Sequence, residues 1–311
     1  MEPHAIGIDF GGTTIKSGLV RGGEIVARGA LIDTQQCAGP DEIIDALCNV
    51  VAQLGEQGGN VIALGIGLPG IVDSVHGMVH NLTNVTGWDN IPLRQLLQER
   101  TALPTTIEND ANSMTYGEWR YGAAMNARHA VCITLGTGVG GGLILDGRLY
   151  RGAQLGAGEI GHLSIDYRGI PGSYANYGAL ESYVGNSAIA ERASQLYRAA
   201  GNPRTEEECT PRDLERYART GDPIALGLWE ALGTEIGAAL ASVVWVLNPD
   251  TIVIGGGVAK AGDLLFNPIR RIISERTVDV FHENLRVVSA ALGNDAGIIG
   301  NAALAIDALA S

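Results

Sequence analysis

Residues 5–20, AIGIDFGGTTIKSGLV, run from an apolar stretch through a glycine turn into a second apolar stretch, and residues 131–145, VCITLGTGVGGGLIL, repeat the design. An apolar run that reverses over glycines into another apolar run is a β-hairpin rather than a strand-to-helix unit. Building it twice predicts an internal duplication: two lobes, each opening on a hairpin whose turn faces a common cleft. NVIALGIGLPGIVD (60–73) and PDTIVIGGGVAKAG (249–262) read as further buried strands that end in glycine turns. Helices are predicted near 40–55, 91–101, 110–121, 182–200, 211–219, 222–247, 262–276 and 296–309. Such a mixture specifies α/β layers. The expected division is a small lobe over 1–118, a large lobe over 119–295, and a last helix, 296–311, packing back on the small lobe.

Composition allows this architecture. A chain of 311 residues with 46% hydrophobic and 18% charged content can bury a large core and is not disordered. The 44 glycines are clustered, as tight turns require. With 34 acidic against 21 basic residues and no cationic run, a nucleic-acid or anionic-membrane partner is not expected. Cys37, Cys48, Cys132 and Cys209 show no CxxC pairing, which predicts free thiols in a reducing cytoplasm. No signal peptide is evident in MEPHAIGIDF. The longest apolar run, IGAALASVVWVL (236–247), is too short to span a bilayer and reads as a buried helix.

GTGVGG (136–141) and GIGLPG (65–70) match the GxGxxG spacing of dinucleotide-binding turns. That fingerprint needs a helix at its end, whereas LILDG after the first reads as strand, which argues against a Rossmann enzyme; no Walker A sequence is present. DFGGTTIK (9–16) is more informative. Gly11, Gly12, Thr13 and Thr14 offer N–H and hydroxyl donors in a concave turn suited to phosphate oxygens. Asp9 at the strand end could hold Mg²⁺, directly or through water, and Lys16 could neutralise a phosphate; an ordinary hairpin with a polar tip is the alternative reading. Gly136, Thr137 and Gly138 form a second such turn, as a nucleotide straddling two lobes requires.

PTTIENDANSM (104–114) reads as a strand ending at Glu108 or Asn109 and a helix beginning near Asp110. Asp110 has two roles open to it: helix N-cap, the commoner one, or a base at a strand end that accepts a proton from an alcohol. NVTGWDNIPL (84–93) puts Asn84 near Trp88, and alone it reads as a turn with a packing tryptophan. In GAGEIGHLSIDYRGIPGSYANYGALES (156–182), Glu159, His162 and Glu181 could bind a metal, run acid/base chemistry or grip a polar ligand.

Taken together and in order, DFGGTTIK, NVTGW, ENDAN, LGTGVGGG, GEIGH, GALES, LNPDTIVIGGG and ALGNDAGIIGNAALA resemble the ROK family of bacterial sugar kinases over residues 5–309. The resemblance implies a two-lobed actin-like, ribonuclease-H-like fold with a central interdomain cleft. It implies transfer of a phosphoryl group from ATP, with Mg²⁺, to a hexose hydroxymethyl group, most simply that of glucose. Asp110 matches the catalytic base. Asn84, Asn109, Glu159, His162 and Glu181 match residues that hydrogen-bond the sugar. Gly11, Gly12, Thr13 and Lys16 match the first phosphate turn, Thr137 and Gly138 the second, and Gly256 and Gly257 the adenosine pocket. A homodimer is what the family implies.

One departure stands out. ROK kinases commonly carry CxCGxxGCxE, whose cysteines bind zinc with the histidine of GEIGH, but the cysteine positions here hold Gly172, Tyr174 and Ala179. A lone histidine cannot make a four-ligand site, so no structural zinc is expected. Packing is then expected to hold the segment, with Tyr174 and Tyr177 as candidates, and Glu159, His162 and Glu181 rank first as a hydrogen-bonding rim for sugar hydroxyls. Kinases of amino sugars, mannose or fructose, a polyphosphate-dependent glucokinase, and a silent sugar sensor remain as alternatives.

Overall fold

Both glycine-turn hairpins form. The computed structural model describes residues 3–82, 85 and 87–310. Its first part runs β1 (His4–Phe10), β2 (Thr14–Arg21), β3 (Glu24–Arg28), β4 (Ile32–Asp33), α1 (Pro40–Gly58), β5 (Val61–Leu68), β6 (Gly70–Asp73), β7 (Met78–Leu82), α2 (Leu93–Thr101), β8 (Thr105–Asn109) and α3 (Asp110–Tyr121). Then follow β9 (Ala130–Leu135), β10 (Val139–Leu145), β11 (Arg148–Tyr150), α4 (Glu181–Val184), α5 (Asn186–Ala199), α6 (Pro211–Arg219) and α7 (Pro223–Leu247). The chain ends with β12 (Thr251–Gly255), α8 (Asp263–Arg276), α9 (Asp279–His282), β13 (Arg286–Ser289) and α10 (Ala296–Ala308).

The chain divides into two units. The first comprises residues 1–126, 149–157 and 291–311, and the second 127–148 and 158–290. The first unit's main sheet has the order β3-β2-β1-β5-β8, with β4 pairing β2. Its hairpin β1–β2 is antiparallel, while β1–β5 and β5–β8 are parallel. The second sheet has the order β11-β10-β9-β12-β13, with an antiparallel β9–β10 hairpin and parallel β9–β12 and β12–β13 pairs. The two sheets share one topology, which is the duplication the repeated hairpin predicts.

Alternation along β1 sets the layers of the first unit. Ile6, Ile8 and Phe10 join Leu64, Ile66 and Ile107 in a cluster with Ile43, Leu47 and Leu54 of α1 and Leu93 and Leu97 of α2. Burial of each such side chain contributes about 1.5–3 kcal/mol. Ala5 and Ala63 face the other way, onto Ile298, Ala302 and Ala305 of α10. On that face the helix lies backbone to backbone on the sheet. A Cβ at Gly7 would sit 1.9 Å from the Ile298 carbonyl oxygen, and one at Gly65 2.0 Å from that of Asn301.

In the second unit α7 seats tightly on α8, where a Cβ at Gly233 would meet Pro268 and one at Gly237 would meet Ile272. The helix is 25 residues long, and by length and composition alone such a helix could cross a bilayer, although its apolar run 236–247 is too short to do so. Leu228, Trp229, Leu232, Ile236, Leu240 and Val244 are buried within the protein, as a core helix requires. The single helix expected over 182–200 is broken. Gly185, extended at φ −69° and ψ 152°, ends α4 and starts α5, and the Asn186 N–H then donates to the Gly136 carbonyl at 2.9 Å.

Candidate active site

In the first unit, β1 and β8 deliver the carboxylates. Asp9 is the penultimate residue of β1 and pairs in register with Lys16 of β2. Burial raises its carboxyl pKa above the ordinary value, partly offset by the charge of Lys16. The first turn of α10 comes close enough that a Cβ at Gly297 would lie 3.0 Å from the Asp9 carboxyl. The turn after β1 is fastened from behind. Gly11 N–H donates to Thr14 O at 3.1 Å, Thr34 Oγ1 donates to Gly12 O at 2.9 Å, and Thr34 N–H donates to Thr13 O at 3.0 Å. Those bonds occupy the carbonyls of Gly12, Thr13 and Thr14 and leave Thr13 on the exposed side. Trp88 is buried edge-on against Phe10 at 5.4 Å, which is the packing role the sequence assigns it.

Asp110 is the first residue of α3, and the cap is its neighbour. Asn109 Oδ1 accepts from the Ala111 and Asn112 N–H groups at 2.9 and 3.2 Å, and its Nδ2 lies 3.4 Å from Gly70 O. The commoner of the two roles open to Asp110 therefore belongs to Asn109. Asp110 is partly buried, and its Oδ1 accepts from the Ala111 N–H at 2.8 Å. A buried relay connects the two carboxylate-bearing strands. Asn301 Nδ2 donates to Ile8 O at 2.8 Å, Ser113 Oγ lies 2.6 Å from Asn301 Oδ1, and Ser113 Oγ reaches Asn109 O at 2.9 Å. Residues 8 and 109 each directly precede an aspartate.

In the second unit, Gly136, Thr137 and Gly138 form the turn between β9 and β10, closed by Gly136 N–H to Gly138 O at 3.0 Å. Strand β10 follows the turn directly, so the GxGxxG match there has no dinucleotide-binding context. Glu181, first residue of α4, accepts the Val139 N–H through Oε2 at 3.2 Å, and a Cβ at Gly138 would lie 2.4 Å from that same oxygen. Gly256 takes φ +89°, and a side chain there would strike the Leu135 backbone at 2.1 Å; Gly257 faces open space. Both follow β12 directly.

Glu159 is exposed and His162 half-buried, at either end of a short 3-10 turn. The Tyr174 ring meets His162 edge-on at 5.5 Å, but Tyr174 is 89% exposed and Tyr177 53% exposed, so neither ring is a buried anchor. The expectation that their packing holds the segment is corrected: backbone pairing does so. Leu180 N–H donates to Leu163 O, Ile165 N–H to Gly178 O, Gly178 N–H to Ile170 O and Gly172 N–H to Asn176 O, at 2.8–2.9 Å. Ser164 Oγ adds a 2.6 Å bond to Tyr177 O. Gly178, at φ +67°, is required here, because a Cβ would sit 1.9 Å from Asp166 O. Asn84 lies outside the described residues.

The ROK family pattern matches residues 5–308. The chain belongs to the ROK family. Among curated relatives, the glucokinase of Thermotoga maritima is 32% identical over 308 residues, covering 96% of each chain. That of Halalkalibacterium halodurans is 35% identical over 306 residues, covering 95% of this chain and 92% of its own. Among solved structures, a ROK family glucokinase from Streptomyces griseus in complex with glucose and AMPPNP aligns with a TM-score of 0.79 at 33% identity, covering 98% of this chain and 99% of that one. The two-sheet α/β architecture is thus that of ROK sugar kinases.

Sequence reasoning did not single out Arg151. Its Nε donates to Glu108 Oε2 at 2.6 Å, and the Glu108 side chain is only 5% exposed. A buried glutamate in the strand before Asp110 was visible as a letter, but its distant partner was not.

Proposed function

We propose that this chain is an ATP-dependent glucokinase, moving the γ-phosphoryl group of ATP to the hydroxymethyl oxygen of glucose. The observation that carries the proposal is the Asp110 carboxylate at the first position of α3, with Asn109 taking the capping duty, in a ROK chain at glucokinase-level similarity. Asp110 orients the sugar hydroxyl and accepts its proton as the phosphoryl group arrives. A positioned base of this type is worth about 10²- to 10⁴-fold. Glu159, His162, Asn84 and Asn109 are assigned to the sugar hydroxyls. Glu181 has a double assignment, sugar and second turn, because one of its oxygens already holds the Val139 N–H.

The nucleotide is assigned to the two glycine-threonine turns and to Gly256 and Gly257. Mg²⁺, bound with ATP, would supply charge neutralisation for the transferring phosphoryl group. Asp9 fits as the residue that holds it, being a hard oxygen donor whose burial disfavours the bare ionised form. Lys16, in register beside Asp9, supplies a compact positive charge for phosphate. The same proposal places the enzyme in the cytoplasm as a homodimer; its four cysteines are free thiols.

Polyphosphate as donor would call for a cationic track, against which stands a net charge of −13. The test is ADP release from purified protein across glucose, mannose, fructose, N-acetylglucosamine and N-acetylmannosamine, with ATP and then polyphosphate as donor. Highest kcat/KM for glucose with ATP is expected. Turnover of an amino sugar in preference to glucose, or with polyphosphate alone, would overturn the assignment of substrate or donor.

A further inference from the structure

We propose that Glu108 and Arg151 form a positioning pair for phosphoryl transfer, a proposal that rests on the reading of Asp110 as the base. Glu108 lies in β8 beside buried Ile107, and its carboxylate accepts on both oxygens. Oε2 takes Arg151 Nε at 2.6 Å, while Oε1 takes the Asn109 N–H at 3.0 Å and Asn112 Nδ2 at 3.1 Å. Those last two donors bracket Asp110, one on the residue before it and one in the first turn of α3. Glu108 is 5% exposed and Arg151 32% exposed, so the carboxylate side of the pair carries a desolvation penalty that its hydrogen bonds must offset. What marks the pair out is its geometry: the same carboxylate that holds Arg151 also holds the two donors on either side of Asp110.

Arg151 adds a second consequence. It belongs to residues 149–157, which form part of the first unit although they follow β10 in sequence. That segment closes on itself through the Ala157 N–H to Arg151 O bond at 2.9 Å. Gly158 to His162 come next in the chain and carry Glu159 and His162. One guanidinium thus ties the segment 149–157, which leads in sequence to Glu159 and His162, to the carboxylate that brackets Asp110. Loosening it lets the base and the sugar contacts shift, and a misplacement of about 1 Å is enough to cost about 10²-fold in rate.

Four variants test the pair: Arg151→Met, Arg151→Lys, Glu108→Gln and the double variant Glu108→Gln/Arg151→Met. The double variant removes both charges at nearly constant volume, so it can fold even where a single variant leaves a charge stranded. Arg151→Met is expected to lower kcat by about 10²-fold and to raise the glucose KM, with the KM for ATP unchanged. Arg151→Lys should recover part of kcat, and the double variant should stay as slow as the slower single one. A folded double variant with wild-type kcat and glucose KM would overturn the proposal, and so would equal losses in the KM for glucose and for ATP. Asp110→Asn, assayed alongside, separates the two readings. An active Asp110→Asn protein overturns the base assignment itself, whereas an inactive one beside a fully active double variant overturns only the pair.

Discussion

Asp9 carries its carboxylate where charge is disfavoured. Burial raises its folded-state pKa above the unfolded value, with Lys16 opposing. For an acid shifted this way the native state holds its proton more tightly than the unfolded state. Its contribution to stability is therefore fully present below the unfolded carboxylate range and is lost as pH rises through the folded value. Asp9→Asn should accordingly melt at a higher temperature than the parent at pH 7, with the gain shrinking as the pH falls towards 4, while kinase activity is lost. Thermal melts across that range, with kcat at pH 7, check both parts; a lower melting temperature at pH 7 would contradict the account. The aspartate was legible in DFGGTTIK as a strand-end carboxylate. Its burial was not, because the backbone crowding it belongs to α10, far along the chain. At Asp110 the sequence reading placed the helix start correctly and offered that residue itself as cap or base, without a signal that its neighbour would take the cap. The structure makes Asn109 the N-cap, while Asp110 Oδ1 also accepts the Ala111 N–H.

Helix α10 and the 163–180 segment show how elements hold these residues. Asn301 joins β1 to α3 by bonding Ile8 O and Ser113 Oγ, both in buried surroundings. Asn301→Ala leaves those groups short of a partner and should cost about 1–3 kcal/mol, read as a shift of the urea unfolding midpoint at constant slope. No measurable shift would show that the relay is incidental. In the 163–180 segment, Gly178→Ala forces a side chain into the Asp166 carbonyl at a left-handed backbone position. It should weaken glucose binding measured by calorimetry while leaving nucleotide binding unchanged. The helices were legible nearly to their ends, since apolar periodicity is a local signal. The backbone ladder of 163–180 was not, because its register is set by glycines and a turn at Tyr174 and Ala175, both at positive φ, rather than by side-chain pattern.

Across the whole chain, the duplication was readable because both sheets open on the same apolar–glycine–apolar hairpin; the parallel pairing of the strands that complete each sheet was seen only in the structure. What had no local signal was the path of residues 149–157, which carry Arg151 into the first unit. A short segment with neither helical nor alternating periodicity reveals its partners only through tertiary contact. In the proposed function, one proton acceptor, Asp110, stands at the centre of this ROK-family scaffold. The most direct test of that account is Asp110→Ala, assayed for ADP release with glucose and ATP and, in parallel, for glucose binding by calorimetry. The account predicts a fall in kcat of at least about 10²-fold with glucose still bound. Near-normal kcat in that variant would contradict it.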